Sequence, residues 1–578
     1  MKIFILGIGP LLFETDKKVY GPSLRTWQFT KTCLKNNSRV LLALCDLFNQ
    51  DLEKKQISIP ENFADNLDVI NFTKQEFESK TKIQSLLDKF MPDCIVTASS
   101  YPSFIASRLN TNLPIWCDFF GQLTTEAQAK ANVYNNPEPL YIAREQMKSS
   151  LYVADVISTI SQRQKYAMIG ELGLIGRLNK DTIDYDFVKV IPCSPQININ
   201  YRRKKNYLRS KTIDEKDFIV LWSGGYNTWV DIHTMFKGLE NAMKRNPRIQ
   251  FVSAGGSIEG HCSKVYEEFK KLIEKSKMKD RFHLLGWLSH ENAAKCWQES
   301  NLGLNIDLYS YEGLLGGRNR LVDFLNSGLP VITSRLCELS QEIENKKIGL
   351  TFEVGDWKKM ADLIFEASKN QEKLDKIAKK GKKFAKNDLS NEITTKPLVQ
   401  WLENPIISPD KRAKNHPLFS GKKRSVKSSF MNKAIKFYDI SEKLLLKILF
   451  TVDKTFKFLN IVNGEIETNS FPDSISSGKT ISTTIQLKNT GKMRWNTSFE
   501  SVHFIHLTIA FFDDNGNLKG TKTIAYLPEP INRGDFVKLF TDVTAPEEKG
   551  QYTISLSLTI PGVGNYTLQN SLISVINP

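Results

Sequence analysis

Apolar and polar positions follow three different patterns along the chain. From residue 1 to about 195, short apolar runs at 2–8, 39–45, 93–98, 113–118, 155–160 and 188–192 alternate with amphipathic stretches at 25–36, 139–153 and 163–173. Runs that are apolar throughout, separated by helical stretches, predict parallel strands covered on both faces. The same rhythm restarts near 217, with strands predicted at 219–225, 249–256, 281–287, 302–308 and 329–334. Ile232, Phe236, Leu239 and Met243 share one stripe of an intervening helix. Two tandem doubly wound α/β (Rossmann-like) domains are therefore expected, at 1–195 and 196–404, the second closed by a helix over 394–403.

Residues 405–462 read differently. The stretch 405–429 is polar, basic and proline-containing, which predicts a linker. Over 430–461, Met431, Ile435, Tyr438, Leu445, Ile448, Val452, Phe456 and Leu459 fall mainly on one helix face, with lysines over much of the rest. Beyond 463 the period drops to two, with turn residues at Asn489-Thr490-Gly491 and Asp514-Asn515-Gly516. Residues 463–578 are expected to form an all-β sandwich of immunoglobulin-like type. They contain no cysteine, so Trp495 and Tyr552 are the candidates to anchor the core.

Charge sharpens this division. Lys and Arg number 79 against 63 acids, a net +16. Residues 411–461 hold thirteen Lys/Arg against three acids, so +10 of that excess sits in one segment. A local basic run leading into an amphipathic helix suits an anionic membrane surface. It lacks the interleaved aromatics of a nucleic-acid module, so no nucleic-acid partner is expected. The eight cysteines contain no CxxC and all lie before residue 338, which fits a reducing compartment. No apolar run approaches the ~18 residues of a spanning helix, and the N-terminus lacks the pattern of a signal peptide. A cytoplasmic location is expected, peripheral at the inner face of a membrane through 411–461.

The richest polar cluster lies in YSYEGLLGGRNRLVDFLNSGLPVITS. Glu312 follows a strand end, Gly316-Gly317 make a pliable loop, and Arg318 and Arg320 stand at a helix start with Asp323 further in. A helix N-terminus with two arginines forms an anion site suited to a diphosphate. The two side chains project differently, so one is expected to face the anion; Arg318, nearer the glycine loop, is the preferred one. Asp323 is placed to accept the hydroxyls of a ribose, and Glu312 those of a sugar. Gly224 and Gly225, after the strand at 219–223, let a phosphate approach the backbone.

Taken together these segments resemble GT-B-fold glycosyltransferases, especially glycosyltransferase family four. That family has a Glu, seven residues and a second Glu, then Ala-Met-Ala-x-Gly-x-Pro. Aligned on Gly328 and Pro330, the second acid falls on Asp323. The first falls on Leu315, so either the loop is three residues longer or Glu312 is not its counterpart. The family's Gly-Arg…Lys-Gly pair is replaced here by Ser223-Gly224-Gly225-Tyr226-Asn227-Thr228-Trp229, without cations. In the first domain, Gly21 and Arg25 of GPSLRTW look like the acceptor- and phosphate-facing loop. Asp118 and Glu126, at and beyond a strand end, are candidates for catalytic contact with the acceptor.

The resemblance implies a retaining, metal-independent glycosyltransferase with a nucleotide sugar as substrate and no separate cofactor. A glycan or lipid-linked glycan would be the acceptor, in cell-surface polysaccharide synthesis. The sequence has no His/Cys/Asp cluster at metal-ligand spacing. The alternative is a non-catalytic GT-B-like scaffold that binds glycans or partners through its sandwich.

Overall fold

A computed structural model describes residues 1–14, 18–35, 38–47, 63, 65–195, 207–209, 213–257, 262–412, 462–496, 505–527, 531–560 and 564–576. The chain divides into two compact units, Met1–Gly421 and Lys422–Pro578.

The first unit holds two parallel sheets. One contains β1 (Lys2–Ile8), β2 (Arg39–Asp46), β3 (Leu67–Thr73), β4 (Cys94–Thr97), β5 (Ile115–Phe119), β6 (Val156–Thr159) and β7 (Val188–Val190), in the order β3-β2-β1-β4-β5-β6-β7. The other contains β8 (Phe218–Ser223), β9 (Ile249–Ala254), β10 (Phe282–Gly286), β11 (Leu302–Asn305), β12 (Val331–Ser334) and β13 (Leu350–Phe352), in the order β10-β9-β8-β11-β12-β13. Every residue of β1 after Lys2 and all of β5 are buried, as strands sandwiched between helical layers require. The architecture is two Rossmann-like domains. Strands β3 and β13 are absent from the sequence-based expectation: β3 is interrupted by Asp68 and Asn71 and is mostly half-buried, and β13 is only three residues long.

The division near 404 needs correction. The helices Asn391–Thr394 and Lys396–Glu403 return to the first sheet's domain. Leu398, Trp401 and Leu402 join the core formed by β1, β2 and the helix Gly21–Lys35, and the Trp401 ring meets Trp116 edge-on at 5.4 Å. The predicted linker is also wrong at its start. Arg177, fully buried, grips Asp410 through Nε at 2.7 Å and Nη2 at 2.9 Å, and donates to Ser408 Oγ at 2.8 Å. Lys411 pairs with buried Asp155 at 2.7 Å. Residues 405–412 are thus integral to the first domain. Residues 413–461 lie outside the described ones, and with them nearly all of the segment assigned to an amphipathic helix and a membrane surface. No described helix is long and apolar enough to cross a membrane.

The second unit is an immunoglobulin-like β-sandwich. One sheet runs β14-β16-β19, using β14 (Gly464–Asn469), β16 (Thr480–Asn489) and β19 (Phe536–Thr544). The other runs β15-β21-β20-β17-β18, using β15 (Ser474–Ser476), β17 (His506–Phe512), β18 (Leu518–Tyr526), β20 (Gly550–Ile560) and β21 (Gly564–Ile576). The inner positions of both sheets form one core that includes Trp495 and Tyr552. Tyr552 also ties a strand start by donating to Glu548 O at 2.9 Å. With its own core, a fragment of residues 462–578 is expected to unfold in one cooperative transition, followed by circular dichroism. Trp495→Ala in that fragment should cost about 3–5 kcal/mol. A fragment without a cooperative transition would mean that the sandwich depends on the first unit.

Candidate active site

In each parallel sheet the strand order reverses between two central strands, β1 and β4 in one and β8 and β11 in the other. Ligands collect at such points, beyond the carboxyl ends of the strands. The loops after β1, β5, β8 and β11 converge there on one cleft of about 470 Å³. The first domain contributes Tyr20, Gly21, Phe120 and Glu126; the second contributes Gly224, Gly225, Asp307, Glu312, Arg318, Arg320 and Asp323. Contacts across the cleft are direct. The Tyr20 and Trp287 rings meet edge-on at 5.3 Å, and Ser161 Oγ donates to Leu315 O at 3.0 Å.

Arg318 is not the free cation expected. It caps the helix Asn319–Ser327 and is buried, with Nη1 and Nη2 forked onto Glu312 at 3.0 and 2.8 Å. Its Nε donates to Asp307 Oδ1 at 2.8 Å. Two carboxylates therefore saturate one guanidinium, and Glu312 is not an open acceptor for sugar hydroxyls. Gly316 makes this possible: a side chain there would collide with both the Glu312 carboxylate and the Arg318 guanidinium. The glycine-rich loop thus encloses an ion pair of its own. Burial pushes the Glu312 carboxyl up to about 7, against the pull of Arg318.

Arg320 occupies the place expected of Arg318. Its guanidinium lies 3.5 Å from the centroid of the Trp222 ring, and Nη2 donates to Gly225 O at 3.1 Å. Among the described residues no carboxylate forms an ion pair with it. Burial lowers its pKa to about 9, with Asp307 opposing, which still leaves it charged at neutral pH. It is a cation lacking an ion-pair partner beside the glycine turn. The turn is less open than its two glycines suggest, because the Gly224 N–H already donates to Ala254 O at 3.0 Å. The Gly225 N–H has no acceptor among the described residues. Asp323, on the helix Asn319–Ser327, lines the same cleft and is buried.

In the first domain the structure separates candidates that the sequence grouped. Arg25 and Asp118 are both fully buried and spent on each other, Nη2 to Oδ1 at 2.7 Å and Nε to Oδ2 at 3.0 Å. Arg25 also donates to Ile191 O at 2.8 Å, and Asp118 accepts from Ser99 N at 3.0 Å and Ser158 Oγ at 2.6 Å. Neither reaches the cleft, so the catalytic reading of Asp118 and the phosphate reading of Arg25 are corrected to a structural one. The pair ties the helix Gly21–Lys35 to the ends of β5 and β6. Gly21, at that helix's start, does line the cleft. So does Glu126, on the helix Leu123–Tyr134, whose carboxyl burial pushes up to about 8, with the Glu312 charge adding to the effect.

Sequence reasoning missed Asp307, which completes the Arg318 clamp, and Trp222, on which Arg320 stacks. Asp307 sits just past β11, a carboxylate position that the switch-point rule could have singled out. Trp222 lies inside an apolar run and carries no such signal. Among the described residues no group of His, Cys, Asp and Glu could hold a metal ion.

Residues 203–384 match the family model of glycosyl transferases group 1. The first unit also aligns with solved structures. Sucrose-phosphate synthase from Thermosynechococcus elongatus covers 70% of this chain and 98% of its own length, at 16% identity and a TM-score of 0.54. HepE of Anabaena, solved with UDP and glucose, covers 70% and 100%, at 17% identity and a TM-score of 0.51. This is the GT-B fold. No curated protein matches the chain. The GT-B unit carries the cleft between its two Rossmann-like domains, and the sandwich follows it as a separate addition.

Proposed function

We propose that the GT-B unit transfers a sugar from a nucleotide-sugar donor to a hydroxyl acceptor. The observation that carries this reading is Arg320, stacked on Trp222 beside the Gly224-Gly225 turn with no carboxylate partner among the described residues. A donor brings about two negative charges into the cleft, and charge on the leaving diphosphate grows as the glycosidic bond breaks. Arg320, the Gly225 N–H and the start of the helix Asn319–Ser327 are the groups available to balance it. Asp323 would hold the ribose. The group 1 match over the donor-side domain and the UDP and glucose bound by HepE support the class of donor.

The donor is a substrate here, and no separate cofactor is proposed. The finer reading is metal-independent transfer with retention, in the synthesis of a cell-surface glycan on a glycan or lipid-linked acceptor. Residues 413–461 would hold the protein on the anionic inner face of the membrane. The anomeric configuration of the product, read by NMR, tests retention, and salt-sensitive co-sedimentation with anionic liposomes tests the membrane.

Thermal shift with UDP-, GDP- and dTDP-sugars tests the central claim. A ligand of the folded state stabilises it by mass action, by about 2.7 kcal/mol at a hundredfold excess over Kd, and so raises the melting temperature. No stabilisation by any of them would overturn the reading. With the donor so identified, Asp323→Ala is expected to weaken its binding by ~1–3 kcal/mol, the range for hydrogen bonds to a charged group. Unchanged affinity in a folded variant would remove Asp323 from the ribose site.

A further inference from the structure

We propose that Glu126 takes the proton of the acceptor hydroxyl as the sugar is transferred. This role rests on the reading of the cleft as a donor site. Of the described first-domain residues that line the cleft, only Tyr20 and Glu126 carry a titratable side chain. Burial raises the Tyr20 pKa above its already alkaline value, which removes it as a base near neutrality. Asp118 is consumed by Arg25, and the sequence has no histidine before His233. On the acceptor side of the cleft the choice falls to Glu126.

Its surroundings fit the task. No hydrogen bond to the Glu126 carboxyl is found among the described residues, so both oxygens remain for a ligand. Gly121 brings it close: with φ of +98° and no side chain, the backbone there lets the Glu126 carboxyl fold against it, where any Cβ would collide. The groups facing it from the second domain are Glu312, Arg318 and Asp307, with Arg320 and Asp323 further along the same cleft. Glu312 and Asp307 already neutralise Arg318, and among the described residues no cation forms an ion pair with Glu126. A carboxyl that ionises at about 8 is matched to proton abstraction near neutral pH, because the best base has a pKa near the working pH.

The bond changes balance. On the face from which the diphosphate departs, so that configuration is retained, the acceptor oxygen forms a bond to the anomeric carbon as its proton moves to a Glu126 carboxylate oxygen. The bond from the anomeric carbon to the phosphate oxygen breaks, and its electron pair leaves on the nucleoside diphosphate. The proton thus ends on the protein and not on the leaving group.

The test uses the full chain, the nucleotide sugar that stabilises it most, and two acceptors, water and octyl glucoside, with nucleoside diphosphate release as readout. Glu126→Gln is expected to bind the donor within about threefold of the parent affinity and to lose ~10²-fold or more of turnover, the range for a general base. In the parent protein, kcat/KM should rise with pH to a plateau with a midpoint near 8. That limb should vanish in Glu126→Gln and persist at reduced height in Glu126→Asp. A Glu126→Gln protein with turnover within threefold of the parent and the same pH limb overturns the role while leaving transfer intact. A parent protein that releases no nucleoside diphosphate sinks the proposed transfer itself, and this role with it.

Discussion

Arg320→Ala is expected to lower sugar transfer by ~10²-fold or more, as loss of a charge partner in the transition state does. Donor affinity should fall as well, since the diphosphate loses the cation that faces it in the ground state. Arg320→Lys should recover only part of the activity, because an ammonium cannot both stack flat on Trp222 and direct a second donor group to the phosphates. Arg318→Ala should fail in another way. It strips Asp307 and Glu312 of their shared counter-ion in a buried site, and breaking such a pair costs about 3–5 kcal/mol of stability. Isothermal titration with the donor, steady-state turnover and urea unfolding separate the two. Near-normal transfer by Arg320→Ala would show that the diphosphate is held elsewhere in the cleft.

The second large effect concerns where the GT-B unit ends. A fragment of residues 1–404 keeps both sheets and the helix Lys396–Glu403, yet is expected to be less stable than 1–412 by about 3–5 kcal/mol. The eight residues between carry Ser408, Asp410 and Lys411. Without them Arg177 loses both arms of its carboxylate partner, and Asp155 loses the Lys411 ammonium and the Ser408 N–H at 2.8 Å. Each would be a charge left buried and unpaired, which is costlier than never burying it. In the full chain, Asp410→Ala should reproduce most of the loss. Equal urea midpoints for the two fragments would show that the strap is not integral to the fold.

The same buried ion pairs mark the limit of what could be read from the chain. Periodicity is a local property, so the two Rossmann-like domains and the β-sandwich were legible: a strand covered by helices on both sides must be apolar throughout, and a sandwich strand must alternate. Short or half-polar strands such as β3 and β13 escaped because their burial is supplied by neighbours and not by their own residues. In the cleft, the acidic and glycine-rich loop could be recognised, together with Gly21, Glu126, Arg320 and Asp323, all of which line it.

What the sequence could not assign was the state of each charge. Arg25, Arg318 and Arg320 look alike on the page, and so do Asp118 and Glu126. The partners that distinguish them are distant in the chain: Asp118 lies 93 residues from Arg25, and Trp222 comes from another strand than the helix that carries Arg320. The burial that shifts the carboxyls of Glu126 and Glu312 comes from loops that are far apart in the chain and meet only at the cleft. The chain by itself determined most of the elements and which loops line the cleft. Which charges are spent on holding the fold and which remain for a ligand was decided by the tertiary structure, because pairing and desolvation depend on distances that sequence order does not contain.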